Sequence, residues 1–297
     1  MSRRHLAMLL GLAAIWGSSF MFIKVAVREL TPADVVFFRV ALGALALLPA
    51  LAFVGFARVR ADLRRHARAL VVLGVGNAAV PFWFLSWSEK RLDSGLAAVL
   101  QASTPLFAAL LALVFSRDDR VTGARLLGVC LGFVGVAMLV GVQPQGDVLA
   151  AVAVLATAVC YAGSALYAGR RLDGVSPVVT SFGSLAAATL VSLPLGVAQL
   201  PDQVPGWKVI GSVVALGVGG LSVAYLLYFE IIARAGASYA VLVTYLVPAL
   251  ALGYGAIFLH ESITATAVAG LLLILGGVAL GSGTLRIPRG APVGETP

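Results

Sequence analysis

Ten times between residues 5 and 285 the chain runs apolar for about twenty residues, the length of a bilayer-crossing helix, before a short polar break. The runs are 5–27, 32–56, 69–88, 94–116, 121–141, 148–169, 176–199, 209–229, 238–259 and 263–285. Lipid offers the backbone no hydrogen bonds, so spanning segments must pair their own polar groups as helices or closed barrels. The pattern predicts an all-α membrane protein of ten transmembrane helices. No soluble domain fits between them, since the longest break, 57–68, is the arginine-rich Ala-Arg-Val-Arg-Ala-Asp-Leu-Arg-Arg-His-Ala-Arg. Charged residues make up 11% of the chain and mean hydropathy is +1.01, where soluble domains carry roughly 25% charge. The 33 glycines suit closely packed membrane helices. The first run follows Ser2-Arg3-Arg4 and resembles a leader, but it exceeds a leader's apolar segment and holds Trp16 and Ser18-Ser19; it reads as a retained helix. Residues 287–297, rich in Pro and Gly, predict a disordered cytoplasmic tail.

Charge sets the orientation. With the N-terminus inside, fifteen of the 21 Lys and Arg residues fall on inner segments, and Arg28, Lys90, Arg91 and Lys208 lie outside. Both termini are therefore expected in the cytoplasm. The net charge of +8 reflects this topology and implies no nucleic-acid partner. Cys130 and Cys160 lie inside apolar runs, where they make neither a disulfide framework nor a metal site. His5, His66 and His260 lie near or beyond helix ends, and no intramembrane aspartate pair, nucleotide loop or metalloprotease motif occurs. No catalytic residue, metal or cofactor is expected, and an enzyme is disfavoured. Eighteen arginines against three lysines, with abundant Ala and Gly, suit a bacterial genome of high GC content.

The run 94–116 carries Pro105, and 143 residues later Pro248 sits in a similar run. Aligning the two prolines matches Arg91 with Arg234, Ala97 with Ala240, Phe115 with Phe258 and Asp118 with Glu261. Earlier, Gly17-Ser18 meets Gly163-Ser164, Phe37 meets Phe182, and Leu48-Pro49 meets Leu193-Pro194; later, Gly135-Val136-Ala137 meets Gly277-Val278-Ala279. The order holds while the offset drifts only from 146 to 142. The chain reads as two five-helix repeats, 1–141 and 142–286. An odd number of helices per repeat makes the second copy enter the membrane from the opposite face, and inverted repeats of this kind place a transporter's site between the halves.

Trp16-Gly-Ser-Ser-Phe20, Phe38-Arg39, Ala97–Pro105 and Phe115–Asp118 leading to Gly128 and Gly135 resemble the EamA-like family of the drug/metabolite transporter superfamily. Ala240–Pro248 and Phe258-Leu-His-Glu261 leading to Gly270 and Gly277 repeat the resemblance. It covers nearly the whole chain. One departure is Asp118, where many relatives carry glutamate. The resemblance implies a ten-helix inner-membrane protein that exports or exchanges amino acids or other small metabolites through a central cavity of alternating access.

A proline inside a helix leaves the carbonyl four residues back without its donor. Those residues are Gln101 and Thr244, with Thr104 on nearly the same face as Gln101, and all three are cavity candidates. The alternative is a packing kink whose hydroxyls bond back within the helix. Ser19, Asn77 and the aromatics Trp16, Trp83, Tyr161, Tyr225 and Tyr245 complete the candidate wall. Interfacial packing or an interhelical hydrogen bond is the competing role for these. Arg39 lies roughly 10 Å into its span by helical rise. It is a possible charge partner for a substrate carboxylate, or it snorkels, or it bonds neighbouring carbonyls. Lys24, nearer its helix end, is expected to snorkel.

All thirteen acidic residues fall at helix ends or in loops. That disfavours a midplane proton relay. The expected function is a secondary transporter that exports or exchanges a small metabolite, such as an amino acid, across a bacterial cytoplasmic membrane. Its partners are that solute and the lipid bilayer, and the sequence does not choose between monomer and homodimer. The alternative is proton-driven efflux of drugs or other toxic organic compounds.

Overall fold

A computed structural model describes residues 3–115, 123–141 and 148–281. Ser116, Asp118 and the tail 287–297 lie outside the described residues. Among the described residues all regular structure is helical. In chain order the elements are α1 (Arg3–Ala26), α2 (Pro32–Leu51), α3 (Phe56–Arg65), α4 (Ala67–Gly74), α5 (Val80–Glu89), α6 (Ser94–Gln101), α7 (Thr104–Phe115), α8 (Ala124–Gly141), α9 (Val148–Arg171), α10 (Pro177–Ala198), α11 (Trp207–Val214), α12 (Ala224–Ala235), α13 (Ala237–Ala240), α14 (Val243–Leu259) and α15 (Ala265–Gly281). A π-helical turn, Val75–Ala79, joins α4 to α5, and a longer one, Ala215–Val223, joins α11 to α12.

Seven helical segments are long and apolar enough to cross a membrane: Arg3–Ala26, Pro32–Leu51, Ala67–Glu89, Ser94–Leu111, Val148–Arg171, Pro177–Ala198 and Trp207–Ala235. Leu126–Gly141, Val243–Leu259 and Ala265–Gly281 are shorter apolar helices. The chain is a multi-pass membrane protein. Local chemistry marks the boundaries. Thr31 and Asp34 form a reciprocal capping box at the start of α2, and Pro32 and Pro177 occupy first turns, where a missing N–H is harmless. Gly236, at φ +87°, separates α12 from α13. One element departs from the sequence reading: the arginine-rich break holds the helix α3, with Arg58 near Asp62 one turn on and only Val59 buried.

Glycines set the helix contacts. A Cβ on Gly217 would lie 2.8 Å from the Arg39 carbonyl and 3.3 Å from the Gly43 nitrogen of α2. A Cβ on Gly74 would strike the Ser184 carbonyl and lie 3.0 Å from the Ala188 nitrogen of α10. Gly74 and Gly217 are 143 residues apart, and Arg39/Ser184 and Gly43/Ala188 are 145 apart. It is one contact made twice with the halves exchanged. The pair α8 and α15 behaves alike. A Cβ on Gly128 would lie 2.6 Å from the Gly277 carbonyl, and one on Gly135 would lie 3.0 Å from the Gly270 carbonyl, again as exchanged equivalents. Reciprocal contact of this form is what a two-fold axis between the halves produces.

The core is not uniform along the bundle. Toward the end of α1 that carries Lys24, one continuous apolar cluster joins α1, α2, α5–α9, α11, α14 and α15. Toward the Arg3 end two separate clusters replace it. One packs Leu9, Leu12 and Ala13 against Ile231, Ala240 and Val243. The other packs Leu70 and Leu73 against Leu172, Tyr167 and Val175.

Candidate functional site

The two π-helical turns face the middle of the bundle. A π turn carries an extra residue and displaces carbonyls from their usual α-helical partners, and such turns recur at functional sites. Hydrogen bonds tie the longer turn to α1 and α2. The Trp16 indole Nε1 donates to the Gly220 carbonyl at 3.2 Å, and the Ser222 hydroxyl reaches across to the Gly43 carbonyl at 2.7 Å. Gly220 leaves room beside Ser19 and Arg39: a Cβ there would lie 3.1 Å from the Ser19 Oγ and 4.0 Å from Nη2 of Arg39. The Ser19 hydroxyl itself donates to the Ile15 carbonyl within α1.

Arg39 is the electrostatic centre. It is 5% exposed, so it neither snorkels nor reaches water. Its guanidinium carbon lies 3.9 Å from the centroid of the Phe82 ring. Its Nε and Nη1 are buried with no hydrogen-bond partner among the described residues. The groups that feel its charge are the hydroxyls of Tyr161 and Tyr225 and the carboxyl of Glu89. Tyr161 meets Phe82 edge-on at 6.5 Å, and Asn77, in the shorter π turn, lies close to the Tyr225 hydroxyl. Cation–π contact offsets part of the cost of burying the charge, but two N–H groups remain unmet. Guanidinium N–H pairs match a carboxylate in geometry and charge.

The structure thus gathers Trp16, Ser19, Arg39, Asn77, Tyr161 and Tyr225, with Phe82 and Gly220 between them. Trp83 lies elsewhere. It is 39% exposed and stacks on Trp87, and Arg91 lies over Trp87, so the three form a stripe on another face of α5 from the buried Phe82, Ser86 and Glu89. Tyr245 packs against the continuous core at the Lys24 end, its hydroxyl buried without a partner.

The proline helices differ from each other. The chain breaks at 102–103, and α7 begins with Thr104 and Pro105. The Thr104 hydroxyl donates to the Gln101 carbonyl at 2.8 Å and Ser103 to that of Leu100 at 2.6 Å, so the freed carbonyls are taken within the chain's own turn. The Gln101 Oε1 remains buried and unpartnered. In the second copy the expected break at Pro248 does not form: α14 runs through Pro248, and the interruption falls earlier, at 241–242. Leu246 and Val247 precede Pro248 and have no hydroxyl to stabilise an open turn, whereas Ser103 and Thr104 precede Pro105. The Thr244 hydroxyl bonds back to Val241 at 2.7 Å.

Polar groups seal the Lys24 end. Lys24 does not snorkel: its Nζ donates to the carbonyls of Glu89 and Leu92, both at 2.7 Å, and so caps α5. Glu261 accepts from Ser94 N (2.9 Å), Ser94 Oγ (2.8 Å) and Gly95 N (3.1 Å), which ties the segment after α14 to the first turn of α6, where a carboxylate also meets the positive end of the helix dipole. Glu29 accepts from Gly206 at 2.7 Å. Asp93, exposed on the surface, lines a recess with Lys24, Arg28, His260 and Glu261; partial desolvation, and then the Glu261 charge, push its carboxyl above the usual aspartate range against the pull of Lys24. The sequence reading placed Glu89 among harmless helix-end acids. It is fully buried, with both carboxylate oxygens unpartnered. Its i, i+3 spacing from Ser86 and i, i+7 spacing from Phe82 on one apolar-flanked face was the available signal.

A bundle of apolar helices around a buried cation and a ring of aromatic and amide side chains defines a membrane protein with a polar centre, the kind of position where intramembrane charges mark function. The profile of the EamA-like transporter family matches residues 4–141 and again 148–283, and the chain belongs to that family, a transporter rather than an enzyme. It is 26% identical over 267 residues to an "Uncharacterized transporter" of Archaeoglobus fulgidus, covering 89% of this chain and 93% of that one. It is also 26% identical over 271 residues to a "Probable terminal-alkyne amino-acid exporter" of Streptantibioticus cattleyicolor, covering 89% of each. A solved crystal structure at 20% identity superposes with a TM-score of 0.66 over 95% of this chain and 97% of the other, a likeness of fold alone.

Proposed function

We propose that the protein is a secondary transporter that exports or exchanges a small carboxylate-bearing metabolite, an amino acid being the simplest, across a bacterial inner membrane. The carrying observation is Arg39, a buried guanidinium with two unmet N–H groups ringed by Trp16, Asn77, Tyr161 and Tyr225. The solute's carboxylate takes the free N–H groups, and the aromatic wall receives its apolar part. The name of the Streptantibioticus relative supports this substrate class.

Ten helices cross the membrane as two inverted repeats, 1–141 and 142–286, with both termini inside. The exchanged glycine contacts and the double family match support that reading. Alternating access follows: the polar seals and continuous core close the Lys24 end, while the core divides toward the Arg3 end. The test is counterflow in proteoliposomes. Labelled amino acids are expected to enter saturably and to be accelerated by unlabelled solute on the far side; conductance without such acceleration would make the protein a channel. One observation favours the second reading, proton-driven efflux of toxic organic compounds: the buried Glu89. Resistance that an uncoupler abolishes would support it.

A further inference from the structure

Glu89 ends α5 with no exposed surface, and neither carboxylate oxygen has a hydrogen-bond partner among the described residues. The Ser86 hydroxyl, one turn back on the same face, is also buried and unpartnered. A carboxylate removed from water without a partner is strongly disfavoured, and such a group carries its proton instead. The nearest cation does not relieve it. Two of the three N–H donors of Lys24 go to backbone carbonyls, that of Glu89 itself and that of Leu92, and its ammonium makes no ion pair with the carboxylate.

The charged and titratable groups around Glu89 come from each neighbouring element. α1 supplies Lys24, α2 supplies Arg39, and the segment after α14 supplies Glu261. α9, packed along α5, presents the Ala150 carbonyl, which accepts from Ser88 at 2.9 Å. The first titratable residue of α9, Cys160, lies roughly 15 Å further along its axis by helical rise. α6 offers Ser94, already committed to Glu261. Two cations and one anion thus surround a carboxyl that makes no ion pair in the sealed arrangement.

The geometry points to Glu89 as a proton-binding site that is occupied when the Lys24 end is sealed and emptied when it opens. Opening this end separates α5 from α1 and admits water. The carboxyl then ionises, its proton passing to water on that side. Lys24, freed from the Glu89 and Leu92 carbonyls, is within reach to pair with the carboxylate. Sealing reverses both events: a proton returns from the same side, and Lys24 goes back to capping α5. Acid on the Lys24 side therefore favours the sealed arrangement and alkali favours the open one. The consequence for transport rests on the alternating-access reading. With the Lys24 end outside, an external proton promotes return of the emptied carrier, a pH control that carries no net proton across the membrane and needs no midplane carboxylate.

The test needs no solute, so it stands apart from the flux assay. Infrared difference spectra of wild type against Glu89→Gln, in lipid at neutral pH, are expected to show one protonated-carboxyl C=O stretch that the variant lacks. Hydrogen exchange, corrected for its intrinsic pH dependence, is expected to rise several-fold in residues 86–96 and 259–266 of wild type from mildly acidic to mildly alkaline pH. Glu89→Gln, near-isosteric with the protonated acid, is expected to stay protected throughout, and Asp93→Asn to keep the wild-type response. A missing carboxyl band, or a pH response unchanged in Glu89→Gln, would overturn the assignment. A protein that meets both expectations yet moves no solute would leave the proton site standing and remove the transport reading.

Discussion

Gly217 against α2 and Gly74 against α10 make the same backbone approach in the two halves, while the side chains that meet between those contacts do not match. On one side stands Arg39, on the other Ser184; Asn77 faces Gly220 across the repeat, and Phe82 faces Tyr225. The difference separates two jobs. Backbone contacts between small residues position helices, and equal contacts on both sides let a bundle adopt two related arrangements of similar energy. A solute with a charged end and an apolar end, as proposed above, needs an unequal lining. A single buried guanidinium would set which way it lies, and a second one opposite would add repulsion between like charges.

The largest expected effect tests the scaffold. Gly74→Leu and Gly217→Leu each drive a side chain into backbone atoms of the facing helix, where overpacking costs about 1–3 kcal/mol and occasionally more. Both are expected to lower the melting temperature in detergent by similar amounts. A tolerated leucine at either position would show that the two contacts are not equivalent. Next comes the lining. Arg39→Gln is expected to raise the apparent KM for a carboxylate solute at least 10-fold, about 1.4 kcal/mol, while Ser184→Ala leaves counterflow near wild type. Equal loss in both would move the charge partner elsewhere. The smallest effect compares the proline helices. Gln101→Ala is expected to raise KM about 3-fold, in keeping with one hydrogen bond of roughly 0.5–1.5 kcal/mol. Thr244→Ala is expected to change it less, because that hydroxyl already serves the Val241 carbonyl. A larger effect at Thr244 would mean that its back-bond opens for the solute.

The proline helices also show how far the sequence could be read. Pro105 and Pro248 look alike in the alignment, yet only the first coincides with a break. Whether a turn opens depends on what satisfies the freed carbonyls, and Ser103 and Thr104 do so where Leu246 and Val247 cannot. The candidate wall divided in the same way. Trp16, Arg39, Asn77, Tyr161 and Tyr225 were recognisable as polar or aromatic residues within apolar runs. Trp83 was equally recognisable and lies on another face, because neighbouring positions on a helix point about 100° apart and only packing decides which face turns inward.

The sequence by itself determined the helical membrane class and the family. Those properties are written locally, in runs of apolar residues and in glycines at fixed spacing, and they need no knowledge of distant neighbours. Only the tertiary structure decided which polar groups were left unmet. Arg39 lies far along the chain from Phe82 and Tyr161, and Glu89 lies 65 residues from Lys24 and 172 from Glu261. A charge becomes unusual when water is excluded from all sides of it, and that exclusion comes from α1, α2, α6 and α9 closing together around a residue whose own helix reveals nothing of it.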